Sequence, residues 1–226
     1  MENTQGALIG IDEYTVYKKK KGDCYRLIAA CFYPPKKNVF MQEGLFRTLA
    51  GLLNDVCPSA SIHAAAMGNA LGNSSDDELA LEYARLFVGP FELKAPPYGS
   101  VYIDKERKVM GDSTVAVTKC YQNSGLAISD DFRELPDHIA VELEFMYYLI
   151  FKETEVLGKS ETDNARYYLN IQDTFKHKFL GKWAAPFCDK IKEGTENTFY
   201  RELSDCLLAF VSMELEGEAL PEGLRA

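Results

Sequence analysis

From Ile139 to Phe151 the chain reads IAVELEFMYYLIF, apolar almost all the way round a helical wheel, and this segment constrains the fold more than any other. A helix without a polar stripe has no face to offer water, so it belongs at the centre of a bundle with other helices around it. The rest of the chain supplies them. Leu79, Tyr83, Leu86 and Phe87 fall on one stripe of a 3.6-residue period. Ahead of them Ser75-Asp-Asp-Glu78 is a capping box, in which the serine accepts from a free backbone N–H and the glutamate reaches back to the cap. Gly89-Pro90 ends that helix, because proline disfavours helical backbone in the residue before it. Phe199, Leu203, Cys206, Leu207 and Phe210 repeat the stripe, and Pro136 opens the apolar helix as a first-turn residue. Weaker periods predict helices over 13–32, 39–56, 60–71, 113–124, 161–180 and 183–193. Strand signals are scarce: Ser100-Val-Tyr-Ile103 alternates, but it is too short and isolated to build a sheet. The expected fold is all-α, one globular domain over residues 1–226 with about nine helices. Its N-terminal half runs to about residue 93, an ordered connector rich in proline and aromatics spans 94–111, and a C-terminal half begins at 112.

Charge and cysteine usage exclude several classes. The net charge is −9 and the sequence pI about 5.0, so nucleic acid is not an expected partner. The one basic run, Lys18–Lys21, reads as a solvated helix face. No stretch approaches the roughly 18 apolar residues of a membrane span. Leu27–Tyr33 behind the lysines mimics a signal peptide, yet Asp23 and Arg26 interrupt it, and Pro34-Pro35 stands where small residues of a cleavage site belong. No integral membrane segment and a cytoplasmic location are therefore expected. The six cysteines are dispersed without a C-x-x-C pair and read as buried thiols.

Two stretches carry the candidate chemistry. Gly158-Lys159-Ser160 ends like a phosphate loop, but Glu153 replaces its first glycine and a helix precedes it, so it is set aside. Glu134-Leu-Pro-Asp137-His138, with Glu142 one turn beyond His138, places acid beside imidazole. With Pro136 as the first helical residue, Asp137 lies in the first turn, where free N–H groups favour an anion. His138 then follows about 100° further round, so the two side chains do not share one core. The alternative is a small metal-dependent or general-base hydrolase centred on Asp137, His138 and Glu142. The second stretch, Tyr83 to Tyr102, holds five aromatics and three prolines in twenty residues. It is either packing under a long loop or a rigid apolar groove, and both readings stay open.

Four fragments, in order, carry a family resemblance: Glu82-Tyr-x-x-Leu-Phe-x-Gly-Pro-Phe91 with Ala95-Pro-Pro-Tyr-Gly-Ser-Val-Tyr102; Gly111-Asp-Ser-Thr114; Glu134-x-Pro-Asp-His138; and Trp183, Pro186 and Phe187 with Phe199-Tyr-Arg-x-Leu203. Together they resemble the TorD/DmsD/NarJ family of redox-enzyme maturation chaperones and look closest to its DmsD-like branch. Tyr83, Phe91, Tyr98 and Tyr102 stand where that branch often has tryptophan, and Phe179 where it often has histidine. The resemblance implies an all-helical protein that is not an enzyme and needs no cofactor. It implies a cytoplasmic chaperone of anaerobic respiration that binds the twin-arginine signal peptide, or the catalytic subunit, of a molybdopterin-containing oxidoreductase until cofactor insertion is complete. Carried over by position, the client-binding residues are Tyr83, Leu86, Phe87, Pro90, Phe91, Pro97, Tyr98, Gly111, Asp137 and His138. Carboxylates suit guanidinium groups and an aromatic groove suits an apolar segment, so the chemistry is consistent. A monomer and a domain-exchanged dimer both fit, and a helical adaptor without signal-peptide preference is the remaining reading.

Overall fold

A computed structural model of the chain describes residues 10–89, 93–127, 134–216 and 220–225. Helix α1 (Ile11–Ala30) turns Tyr14, Lys18, Lys21, Tyr25 and Ile28 inward. The stretch expected as one helix over 39–56 is divided into α2 (Lys37–Gln42) and α3 (Leu45–Val56), because Gly44 takes a left-handed φ of 60° between them. Helix α4 (Pro58–Asn73) starts on a first-turn proline. The capping box forms as read: Ser75 Oγ accepts from the Glu78 N–H at 3.1 Å and opens α5 (Asp76–Tyr83). α5 passes into a π-helical turn, Ala84–Val88, closed by Gly89 with φ of 98°. The alternating residues 100–103 form a single helical turn, α6 (Ser100–Ile103). Helices α7 (Asp112–Asn123) and α8 (Ile139–Leu157) follow. Helix α9 (Thr162–Phe175) continues through a second π-helical turn, Lys176–Leu180, into α10 (Gly181–Gly194) without a loop. Asn197 Oδ1 accepts from the Phe199 N–H at 3.0 Å and caps α11 (Thr198–Leu215).

The apolar helix takes the central place its composition demands. α8 packs against α1 and α9, α4 lies between α3 and α11, and α10 packs on α11. One apolar cluster runs from Leu49 and Met67 through Leu86, Ile139 and Met146 to Trp183 and Phe210. Each such side chain contributes about 1.5–3 kcal/mol on burial, so this cluster is the main stabilising term. The all-α expectation holds: among the described residues, strand-like pairing is limited to an isolated bridge between Tyr98 and His138. No described helix is long and apolar enough to cross a membrane. Five of the six cysteines are buried, with Cys120 partly exposed, and all six are free thiols.

The lysine run is not a solvated face. Lys19 is exposed and Lys20 pairs with Asp55 at the surface, but Lys18 and Lys21 are 0% and 1% exposed. Positions three apart share a helix face, and this one points into the bundle. Lys18 Nζ lies 3.0 Å from Glu153 Oε2 on α8 and donates to Gln172 Oε1 on α9 at 2.8 Å. Gln172 Nε2 donates to Glu153 Oε2 at 2.8 Å, and the Tyr14 hydroxyl donates to Glu153 Oε1 at 2.8 Å. Lys21 Nζ lies 3.2 Å from Glu214 Oε1 on α11, and the Tyr25 hydroxyl donates to the other oxygen of that carboxylate at 3.1 Å. Buried charges persist only when paired and hydrogen-bonded, and both lysines satisfy that condition.

Candidate functional site

The connector is fastened to the start of α8 at one point. Tyr98 and His138 form the antiparallel bridge: the Gly99 N–H donates to the Asp137 carbonyl at 2.8 Å, and the Ile139 N–H donates to the Pro97 carbonyl at 2.9 Å. Asp137 adds a third tie, its Oδ2 accepting from the Ser100 N–H at 2.8 Å. The expectation that Pro136 begins the helix and puts Asp137 in its first turn is therefore corrected. His138 is the N-cap, extended at φ −69° and ψ 139°, with Nδ1 accepting from the Ala140 N–H at 3.2 Å. The bridge is the reason, since a residue paired with Tyr98 needs extended backbone. Lying outside the helix, Asp137 and His138 are both buried, 0% and 2% exposed, contrary to the stagger a helix would impose.

An acid–aromatic face is built around this junction. The His138 ring stacks on Tyr33 with centroids 6.1 Å apart and meets Tyr98 edge-on at 5.4 Å. Because Nδ1 accepts, Nε2 carries the proton, and it faces Glu134 Oε2 at 4.0 Å. Burial lowers His138 to about 4, so the imidazole is neutral at pH 7. Glu144 on α8 lies beside Tyr33, and burial raises the Glu144 carboxyl, with the Tyr33 hydroxyl acting in the opposite direction. Burial, followed by the charges of Glu134 and Asp137, raises Tyr98. Glu134 also lies close enough to push up the phenols of Tyr33 and Tyr83. Two partly exposed carboxylates thus flank two partly exposed phenol rings, and among the described residues neither acid has a lysine or arginine partner. A flat cation can stack on such rings while donating to the carboxylates.

Glu142 belongs to a different environment. The Trp183 Nε1–H donates to its Oε2 at 3.0 Å, while its Oε1 is buried without a hydrogen-bond partner among the described residues. Burial holds this carboxyl well above the usual range, with the Trp183 bond opposing and the nearby Asp137 charge adding. Gly99 fits against the pair: a Cβ there would lie 3.0 Å from Trp183 Nε1 and 3.2 Å from Glu142 Oε1. Asp137, His138 and Glu142 therefore serve Ser100, the Ala140 N–H and Trp183 respectively. Among the described residues, no three His, Cys, Asp or Glu side chains are grouped to hold a metal ion.

The remaining candidates separate into floor, wall and support. Tyr83, Leu86 and Phe87 are buried, the Tyr83 hydroxyl donating to the Phe32 carbonyl at 3.2 Å and Phe87 packing on Phe32, Tyr83, Phe187 and Tyr200. They are core beneath the connector. Pro97 is buried and supplies a bridge carbonyl, whereas Pro90 and Phe91 lie outside the described residues. Gly111 has a local reason: a Cβ there would come within 2.1 Å of Asp104 Oδ2, which accepts from the Ser113 N–H and hydroxyl at 3.2 and 3.0 Å. The glycine makes room for a carboxylate that caps α7. Gly111→Ala should cost about 1 kcal/mol, as loss of a cap does, and Asp104→Ala should add little in that background when both are followed by urea denaturation. Tyr33, Glu144 and Asp104 escaped the sequence reading. Tyr33 stands before Pro34-Pro35 and Glu144 interrupts an apolar run, which are weak signals; Asp104 has none.

Comparison with known proteins adds four findings. The family model described as nitrate reductase delta subunit matches residues 51–189. The chaperone protein TorD of Vibrio parahaemolyticus is 27% identical over 142 residues, 63% of this chain and 65% of that protein. The Tat proofreading chaperone DmsD of Salmonella typhi is 29% identical over 129 residues, 57% of this chain and 56% of that protein. The chain thus spans less than two thirds of these relatives' length. A crystal structure from Archaeoglobus fulgidus, described as a candidate redox enzyme maturation protein, aligns over 87% of this chain and 94% of that one. At a TM-score of 0.52 and 21% identity, it shows a shared fold.

Proposed function

This chain belongs to the nitrate reductase delta subunit family, the group its resemblance to TorD, DmsD and NarJ anticipates, and on that premise we propose that it is a chaperone for the precursor of a molybdopterin-dependent oxidoreductase. It works in the cytoplasm by binding, without turnover, the twin-arginine signal peptide of the catalytic subunit until cofactor insertion is complete. The observation that carries this reading is the acid–aromatic face at Tyr33, Tyr98, Glu134 and Glu144. A guanidinium presents a planar fork of donors and a face that stacks on phenol rings, and this site offers acceptors and rings together. The protein's net charge of −9 adds long-range attraction for a doubly cationic peptide. His138 and Asp137 act as positioning residues, one holding the rings and the other fixing the connector. The whole of residues 1–226 acts as one unit in this reading, with the 94–111 connector presenting the face.

The test is calorimetric titration of the full chain with a synthetic twin-arginine signal peptide. Glu134→Gln and Glu144→Gln should each weaken binding about tenfold, the loss of one charge-assisted contact. Replacing both peptide arginines by alanine should remove that difference between wild type and variants. If the alanine peptide binds wild type as tightly as the native one, the guanidinium reading fails.

A further inference from the structure

A groove of opposite charge is bounded by residues 93–107 and by α10. Its volume is about 550 Å³, and among the described residues its lining includes Lys94, Arg107 and Lys190 but no carboxylate. Three cations around one cavity are unexpected in a chain of net charge −9. They come from three segments: Lys94 precedes α6, Arg107 follows it, and Lys190 projects from α10. Arg107 takes a left-handed φ of 51° where its N–H donates to the Asp104 carbonyl at 3.2 Å and closes a turn. Lys190 pairs with exposed Glu193 at 2.6 Å, whereas Lys94 and Arg107 have no ion-pair partner among the described residues. Pro96 and Pro186 give the groove rigid apolar walls. Tyr102 also lines it, its ring stacked on Trp183 at 5.6 Å.

We infer that this groove is a binding site for a small organic phosphate, its charged group held by Lys94, Arg107 and Lys190 and its body seated between Pro96 and Pro186 beside Tyr102. The volume falls in the range of small-ligand pockets. Concentrated positive charge favours a multiply charged group over a single carboxylate, and guanidinium and ammonium donors match phosphate oxygens. A twin-arginine segment is excluded by charge, so this site is independent of the chaperone reading.

The experiment titrates the full chain with pyrophosphate, phenyl phosphate and phenol at low ionic strength. Pyrophosphate and phenyl phosphate should bind saturably and phenol should not, and phenyl phosphate should bind tighter than inorganic phosphate titrated alongside. The exposed-residue double variant Lys94→Ala/Lys190→Ala should retain the wild-type melting temperature and lose about tenfold or more in phosphate affinity. Absence of saturable binding, binding unaffected by the double variant, or preferential binding of a poly-glutamate peptide would each overturn the assignment. Signal-peptide affinity is measured on the same samples and should be unchanged in the double variant. Phosphate binding without signal-peptide binding would leave this inference standing and remove the chaperone reading, and the reverse result would do the opposite.

Discussion

Lys18→Met should destabilise the protein by about 3–5 kcal/mol, the range observed when one partner of a buried ion pair is removed. Lys18 and Glu153 are both fully enclosed, and the substitution leaves the Glu153 carboxylate with the Tyr14 hydroxyl and the Gln172 amide as neutral donors. Those bonds do not compensate a desolvated anion. The Gln172 carbonyl loses its lysine donor at the same time. The double variant Lys18→Met/Glu153→Leu removes both charges and should recover part of the loss, because it avoids the desolvation penalty of the ions but leaves the Tyr14 hydroxyl and the Gln172 amide without these partners. Urea denaturation at pH 7 on wild type, both single variants and the double variant closes a mutant cycle. A single-variant loss below about 1 kcal/mol would show that the pair behaves as an exposed one, against its burial.

The second large effect is pH-dependent and resides in His138. Its folded-state value is about 4 against an ordinary 6.5, so the fold favours the neutral ring. A depressed group contributes fully above its unfolded value and loses that contribution as pH falls toward the folded one. Between pH 7 and pH 5 the loss should reach about 2 kcal/mol. Glu142 works in the opposite direction. Its raised carboxyl stabilises most at and below the ordinary value of 4.5 and progressively less as pH rises. His138→Asn isolates the imidazole, since asparagine keeps the cap to the Ala140 N–H but does not titrate. The stability difference between wild type and His138→Asn should therefore move by about 2 kcal/mol between pH 7 and pH 5, with wild type losing ground in acid. A pH-independent difference would mean that the ring titrates as in solvent.

Local physics was legible in the sequence, and distant partners were not. The 3.6-residue period, the Ser75 capping box and the all-round apolar run over 139–151 each express interactions within a few residues, and each corresponds to what forms. The break at Gly44 and the two π-helical turns have no periodic signature, because they alter the backbone without altering the apolar stripe. Lys18 and Lys21 were misjudged because a lysine run looks solvated until Glu153 and Glu214 are brought to it. The site divides in the same way. Glu134, Asp137 and His138 stand out as a charged cluster, but the connector strand that makes His138 extended is remote in sequence. Tyr33 and Glu144 meet only because α1 lies against α8.

The enclosed lysine–carboxylate pair also shapes what variation this chain can tolerate. Losing both charges together costs less than losing one, yet either single step passes through a state weakened by about 3–5 kcal/mol. Typical domains hold only about 5–15 kcal/mol in total, so most lineages entering that valley would be lost before the second change arrived. Lys18 and Glu153 are thus kinetically trapped in evolution, held by the difficulty of leaving rather than by an advantage in staying. In alignments of close relatives the two positions should persist or change as a couple, and their persistence would carry no information about the client.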